Sequence, residues 1–177
     1  MKLLAINTSI LGEHSVSRQL MGSFLSHWRH SNPESELIYR DLDIQAINHL
    51  NHEMLDAKQK MEAELSSTLK EELELTERLI NEFLVADEVV IGAPMYNFSI
   101  PSQLKSWIDR IVAAGRTFRY TEQGVVGLAA DKKVVIISTR GNHYANNASM
   151  QAMDYQENYT LALPICKHRQ SIYTHLT

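Results

Sequence analysis

Three short runs of branched apolar residues recur along the chain: Lys2-Leu3-Leu4-Ala5-Ile6, Glu88-Val89-Val90-Ile91-Gly92 and Lys133-Val134-Val135-Ile136-Ile137-Ser138. Each is continuously apolar instead of alternating, which marks a strand buried on both faces of a parallel sheet. Their shortness and Ile/Val content favour strands over buried helix segments. Glu36-Leu37-Ile38-Tyr39-Arg40-Asp41 reads as a fourth, weaker strand. Between the strands the apolar positions change to helical spacing. Val16, Leu20, Met21, Phe24, Leu25 and Trp28 predict a helix that ends near Ser31-Asn32-Pro33. The stretch from about Met54 to Leu84 predicts two helices, or one with a break, because no heptad is sustained. Leu104, Trp107, Ile108, Ile111 and Val112 share one face of a helix after Pro101, and a last helical pattern runs from about Met150 to Tyr159. Strands alternating with helices predict a right-handed, doubly wound α/β sheet in one domain.

Two segments break this pattern. Gly115, Gly124 and Gly127 punctuate Thr117-Phe118-Arg119-Tyr120-Thr121, as in a small hairpin or lid. From Thr160 to Thr177 the chain has Pro164, scattered bases and no clear period, so this tail is not expected to form the last strand and helix. The 177 residues are 44% hydrophobic, suited to one domain with a sizeable core. Net charge is −4, which offers no broad positive field for nucleic acid or an anionic membrane. Cys166 is the single cysteine, which excludes an intrachain disulfide and a multi-cysteine metal site. The apolar start stops at Asn7-Thr8-Ser9, too short for a signal peptide, and no stretch is long enough to span a membrane. A cytoplasmic location is expected.

Several functional motifs are absent. No Gly-x-Gly-x-x-Gly follows the first strand, and there is no Gly-x-x-x-x-Gly-Lys phosphate loop. Neither a Gly-x-Ser-x-Gly elbow nor a His-x-x-x-His zinc spacing occurs.

Three clusters remain, all beyond the carboxyl ends of strands, where open α/β sheets bind ligands. The first is Thr8-Ser9 with Ser15-Val16-Ser17, at the entry to a helix. Hydroxyls and free N–H groups at a helix N-terminus suit a terminal monophosphate, although Ser15 or Ser17 can equally be a plain N-cap. The second is Gly92-Ala93-Pro94-Met95-Tyr96-Asn97-Phe98-Ser99-Ile100-Pro101, which offers a thioether, two rings and an amide to a planar heteroaromatic ligand. Its plainer reading is a proline-bounded loop whose rings fill the core. The third is Thr139-Arg140-Gly141-Asn142, where Gly141 allows close backbone approach. Arg140 would place positive charge by a ring edge that becomes anionic on reduction, or would form a surface ion pair. A phosphate at one end and a planar ring at the other describe FMN.

On these residues the chain, from 1 to about 159, resembles the bacterial FMN-dependent NADH-azoreductase family. The matching segments are Asn7-Thr8-Ser9-Ile10-Leu11 with Ser15-Val16-Ser17, Ala93-Pro94-Met95-Tyr96-Asn97-Phe98 and Ser102-Gln103-Leu104-Lys105. Thr117-Phe118-Arg119-Tyr120-Thr121 and Ser138-Thr139-Arg140-Gly141 complete them. The resemblance implies a flavodoxin-like α/β fold, a doubly wound parallel sheet of order 2-1-3-4-5. It implies an FMN-dependent oxidoreductase that takes hydride from NADH, or else NADPH, and reduces azo compounds or quinones by a ping-pong scheme. It places Ser9, Ser15, Val16 and Ser17 on the FMN phosphate. Met95, Tyr96, Asn97 and Phe98, with Thr139, Arg140, Gly141 and Asn142, would lie along the isoalloxazine. It further implies a homodimer with sites at its interface, Phe118 and Tyr120 shaping the pocket, and no metal. His143 and Arg119 are candidate substrate contacts.

Two departures carry expectations of their own. Asn142 stands where the family usually has a second Gly, and Asn tolerates a left-handed conformation there. After Glu157-Asn158-Tyr159 the match ceases, dividing the chain into a 1–159 FMN-binding domain and an atypical 160–177 tail, as a frame change in the coding sequence would produce. The fifth strand and last helix are therefore expected to be missing or aberrant. The alternatives are a flavodoxin-type electron carrier and a C-terminally damaged, inactive family member.

Overall fold

The structure is a computed structural model that describes residues 1–57, 61–129, 132–142, 144, 148–162 and 168–175. Seven strands are present among them: β1 (Lys2–Asn7), β2 (Glu36–Asp41), β3 (Glu88–Pro94), β4 (Phe118–Thr121), β5 (Gly124–Gly127), β6 (Lys133–Arg140) and β7 (His168–His175). The helices are α1 (Val16–Ser31), α2 (His52–Asp56), α3 (Ser67–Val85), α4 (Ser102–Ile111), α5 (Ala148–Gln151) and α6 (Tyr155–Ala162). A parallel sheet of order β2-β1-β3-β6-β7 forms the centre, and β4 and β5 make a separate antiparallel hairpin.

The continuous apolar runs follow from burial on both faces. Leu3, Ala5, Val90, Val135 and Ile137 pack under Met21 and Trp28 of α1. Their neighbours Leu4, Ile6, Val89, Ile91, Val134 and Ile136 pack on the opposite face with Leu79 and Phe83 of α3 and Leu104 and Trp107 of α4. Alternate side chains thus serve two cores, as the two-residue period of a strand requires. Ser15, Asn51 and Ser66 each accept a backbone N–H three residues on, which fixes where α1, α2 and α3 begin. The Met54–Leu84 stretch is therefore two helices, separated by a short 3-10 turn at Glu62–Glu64.

The expectation of a missing fifth strand is corrected. β7 pairs in parallel with β6 from Lys133↔His168 to Arg140↔His175, so the tail completes the order 2-1-3-4-5. An edge strand needs backbone pairing on one side only, and Ser171-Ile172-Tyr173-Thr174 supplies ordinary strand formers without an apolar run. Among the described residues no helix follows β7. The Met150–Tyr159 helix is also corrected: it is two short helices, α5 and α6. Asp154 restarts the helix by accepting the Glu157 N–H at 2.9 Å. Finally, β3 and β6 run past their apolar stretches, pairing Ala93↔Ser138 and Pro94↔Thr139. Pro94, Thr139 and Arg140 are strand residues, not loop residues.

Candidate functional site

β1, β3 and β6 end side by side, and the three sequence clusters meet at their carboxyl ends. At the first cluster the chain leaves β1 through Thr8 and Ser9, both fully buried, and passes a 3-10 turn before entering α1. Thr8 Oγ1 donates to the Gly92 carbonyl at 2.7 Å, which ties this exit to β3. Ser15 is the N-cap of α1, taking the Arg18 N–H at 3.2 Å, so the plain capping role holds. Its hydroxyl also lies 3.0 Å from that of Ser17, and both serines are buried. The half-buried Val16 lies between them. The result is a row of hydroxyls at the positive end of a 16-residue helix.

The second cluster turns sharply after β3. Tyr96 and Ser99 exchange backbone hydrogen bonds at 3.0 Å each way, leaving Asn97 (φ 49°) and Phe98 (φ 67°) as a two-residue left-handed turn. Such a turn favours Asn-Gly, and a Phe held there stores strain of the kind found at ligand sites. Phe98 remains 44% exposed, so the plainer reading of a core-filling ring fails for it. Tyr96 reaches back to the first cluster. Its hydroxyl lies 2.9 Å from Ser9 Oγ and accepts the Ile10 N–H at 3.3 Å. Met95 N–H donates to the Thr139 carbonyl at 2.8 Å, joining the second cluster to the third.

At the third cluster, Thr139 and Arg140 are buried while Gly141 and Asn142 are exposed, with open space around Gly141. Arg140 forms a buried ion pair with Asp154 and lies over the Tyr144 ring at 5.7 Å. Its charge is met by a carboxylate, so Arg140 does form an ion pair, but a buried one and not the surface pair expected. Asn142 is not among the left-handed residues of the described chain; those positions fall at Asn97 and Phe98. Phe118 and Tyr120 stand apart, stacked edge-to-face at 5.3 Å on the hairpin, with Phe118 buried and Tyr120 75% exposed. Arg119 between them is exposed. His143 and Cys166 lie outside the described residues.

A cavity of about 760 Å³ opens beside the turn, lined by Ile10, Met95, Asn97, Gln103, Lys105 and Tyr159 among others. Burial pushes the Tyr159 phenol above its ordinary pKa. A hydrogen bond to Asp109 raises the pKa of Lys105.

Sequence reasoning missed five residues that hold the site together. Arg18 donates to the Ser9 carbonyl from Nη2 at 2.7 Å and from Nε at 3.2 Å, and it grips the Asp41 carboxylate. Burial works against ionising Asp41, but Arg18 and the N–H groups of Asp43 and Ile44 outweigh it and hold the carboxyl below its ordinary range. The buried Gln156 donates to the Ala93 carbonyl at 2.5 Å, and the Tyr155 N–H donates to Phe98 O at 3.1 Å. Asp154 had one legible signal, an acidic side chain placed to cap a helix.

Taken together, the donors at the first cluster fit a phosphate, and the strained aromatic turn with its adjoining cavity fits a planar ring. The buried hydroxyls and the helix N-terminus are the observations that favour FMN over a ligand without phosphate. Among the described residues no group of three or more His, Cys, Asp or Glu is placed to hold a metal. No helix among them is long and apolar enough to cross a membrane.

Comparison with known proteins agrees with this geometry. The family described as having a flavodoxin-like fold matches residues 1–165. The FMN-dependent NADH:quinone oxidoreductase of Azospirillum brasilense is 54% identical over 158 residues, covering 89% of this chain and 76% of that one. The protein of the same name from Legionella pneumophila subsp. pneumophila is 52% identical over 163 residues, covering 92% and 79%. An FMN-dependent NADH-azoreductase from Bacillus anthracis, solved with FMN, superposes with a TM-score of 0.87 at 27% identity, covering 98% of this chain and 86% of that one.

Proposed function

This chain belongs to the flavodoxin-like fold family, and we propose that it is an FMN-dependent NADH:quinone oxidoreductase that also reduces azo compounds. The observation that carries the reading is the Tyr96 hydroxyl. By meeting Ser9 and Ile10, it joins a donor-rich helix entry to an aromatic turn in one continuous site.

Bound FMN supplies the chemistry, accepting hydride from a nicotinamide and returning electrons to the acceptor. The protein's residues hold and orient it. Ser9, Ser15, Val16 and Ser17 are assigned to the phosphate, supported by the buried hydroxyls and the start of α1. Met95, Tyr96, Asn97 and Phe98 are assigned to one side of the ring, with Thr139, Arg140, Gly141 and Asn142 at its edge. Arg140 contributes there through its backbone and by anchoring α6, because Asp154 meets its charge.

A homodimer is part of the proposal. Phe98 and Tyr120 are large and exposed, and the hairpin forms a sheet of its own in which Phe118 and Tyr120 stack on each other. A second copy would let that hairpin wall the pocket. The expected location is cytoplasmic, and NADH is the expected donor over NADPH. A one-electron carrier is not favoured, since the similar proteins are NADH-dependent oxidoreductases. The completed sheet likewise weakens the case for a damaged, inactive member.

The test is steady-state kinetics on FMN-reconstituted protein, varying NADH at several fixed concentrations of a quinone. Parallel double-reciprocal lines are expected from the ping-pong scheme. Intersecting lines, or no turnover with NADH, would reject it.

A further inference from the structure

Arg18 occupies the third position of α1, where the helix dipole disfavours a cation. It nevertheless faces the site entry. Nε and Nη2 both donate to the Ser9 carbonyl, occupying both lone pairs of that oxygen. Nη1 and Nη2 bind the two oxygens of Asp41 at the end of β2, and Asp43 Oδ2 lies 3.8 Å from Nη2. Four of the five guanidinium N–H groups are therefore committed within the protein. The charge is largely met by Asp41, so Arg18 is not arranged as a direct anion ligand.

Its effect passes through the Ser9–Ile10 peptide. That unit is planar and trans, so its carbonyl and its N–H point in opposite directions. Fixing the Ser9 carbonyl toward Arg18 turns the Ile10 N–H the other way, where it meets the Tyr96 hydroxyl at 3.3 Å. It also removes a bare carbonyl oxygen that would repel an anion. Resting on the FMN reading above, we propose that Arg18, held by Asp41, is a positioning residue for the cofactor phosphate. It holds the Ser9–Ile10 peptide so that the Ser9 carbonyl, bound by Nε and Nη2, does not face the phosphate.

The experiment titrates FMN and riboflavin in parallel, by quenching of flavin fluorescence, into the wild type and the variants Arg18→Met, Arg18→Lys and Asp41→Asn. Riboflavin has the same ring without the phosphate. The wild type should bind FMN far more tightly; equal binding of the two flavins overturns the phosphate cradle itself and this proposal with it. Arg18→Met should weaken FMN by about tenfold, the scale of one charge-assisted hydrogen bond, with riboflavin nearly unchanged. Arg18→Lys, which keeps a cationic donor, should recover most of the loss, and Asp41→Asn should weaken FMN in the same direction. An unchanged FMN-to-riboflavin ratio in Arg18→Met, or equal weakening of both flavins, would overturn the proposal. Tighter FMN binding in Asp41→Asn would also overturn it, by making a freed Arg18 a direct phosphate ligand. If Arg18→Met does not fold, the ratio in Asp41→Asn and Arg18→Lys decides.

Discussion

Replacing Arg110 by Met removes a heavily bonded buried charge. The side chain has no exposed surface and donates to Thr76 Oγ1 (2.6 Å), the Glu72 carbonyl (2.6 Å), Glu72 Oε2 (2.7 Å) and the Asn48 carbonyl (3.3 Å). One guanidinium thus joins α4 to α3 and to the segment before α2. Methionine fills similar volume but takes the guanidinium from a carboxylate, a threonine hydroxyl and two carbonyls; Glu72 then keeps the Asn48 amide on its carboxylate, and Thr76 keeps its bond to the Glu72 carbonyl. Removing one partner of a buried pair costs about 3–5 kcal/mol. Glu72 is 15% exposed and reaches some water, which places the loss near about 3 kcal/mol. For a chain of this length that is a fall of roughly 6–12 °C in the thermal midpoint. Circular dichroism melts at fixed protein concentration measure it.

The pH dependence supplies a second check on the same pair. Burial opposes ionisation of Glu72, but hydrogen bonds from Arg110 and Asn48 and the charge of Arg110 outweigh it, so its pKa lies below the usual 4.5. A carboxylate with a depressed pKa stabilises the fold above its unfolded value and loses that contribution as pH falls through the folded value. The gap between wild type and variant should therefore be full at neutral pH and narrow below 4.5. A midpoint change under about 2 °C at neutral pH, or a gap that widens in acid, would refute the reasoning.

Tyr96→Phe removes the hydroxyl that links Ser9 and Ile10 to the turn, so FMN binding should weaken about five- to tenfold in a fluorescence titration. Unchanged affinity would mean that the two clusters act independently. Asp154→Ala leaves Arg140 as a buried cation without its carboxylate and should cost about 3–5 kcal/mol, read as a lowered melting midpoint. A midpoint equal to wild type would show that this pair does not hold β6 to α6.

The sheet was legible where burial dictates sequence. β1, β3 and β6 lie between two helical layers, and only apolar residues satisfy both faces, so their runs announced them. β7 has neighbours on one side only, and a strand under that weaker constraint carries His, Arg, Gln and Ser without contradiction. The site followed the same division. Its location at the ends of β1, β3 and β6 followed from topology, and the serines and the Tyr96 region were identified from composition. The polar links were not visible, because Arg18–Asp41 and Arg140–Asp154 join residues whose pairing exists only after folding. From sequence, Arg140 fits either a ligand's ring edge or a surface ion pair; in the fold it is committed to the buried Asp154. The left-handed turn was hidden for another reason. Asn97-Phe98 has no glycine to announce it, and the conformation is imposed by the paired Tyr96 and Ser99.

The central claim is that this site holds FMN and uses it to pass electrons from NADH to a quinone or azo acceptor. An anaerobic absorbance trace on protein reconstituted with FMN tests that claim directly, with NADH added first and the acceptor second. The flavin absorbance should bleach on addition of NADH and return when the quinone or azo dye follows. A flavin that stays oxidised with NADH present, or protein that remains colourless after incubation with FMN, would contradict the account.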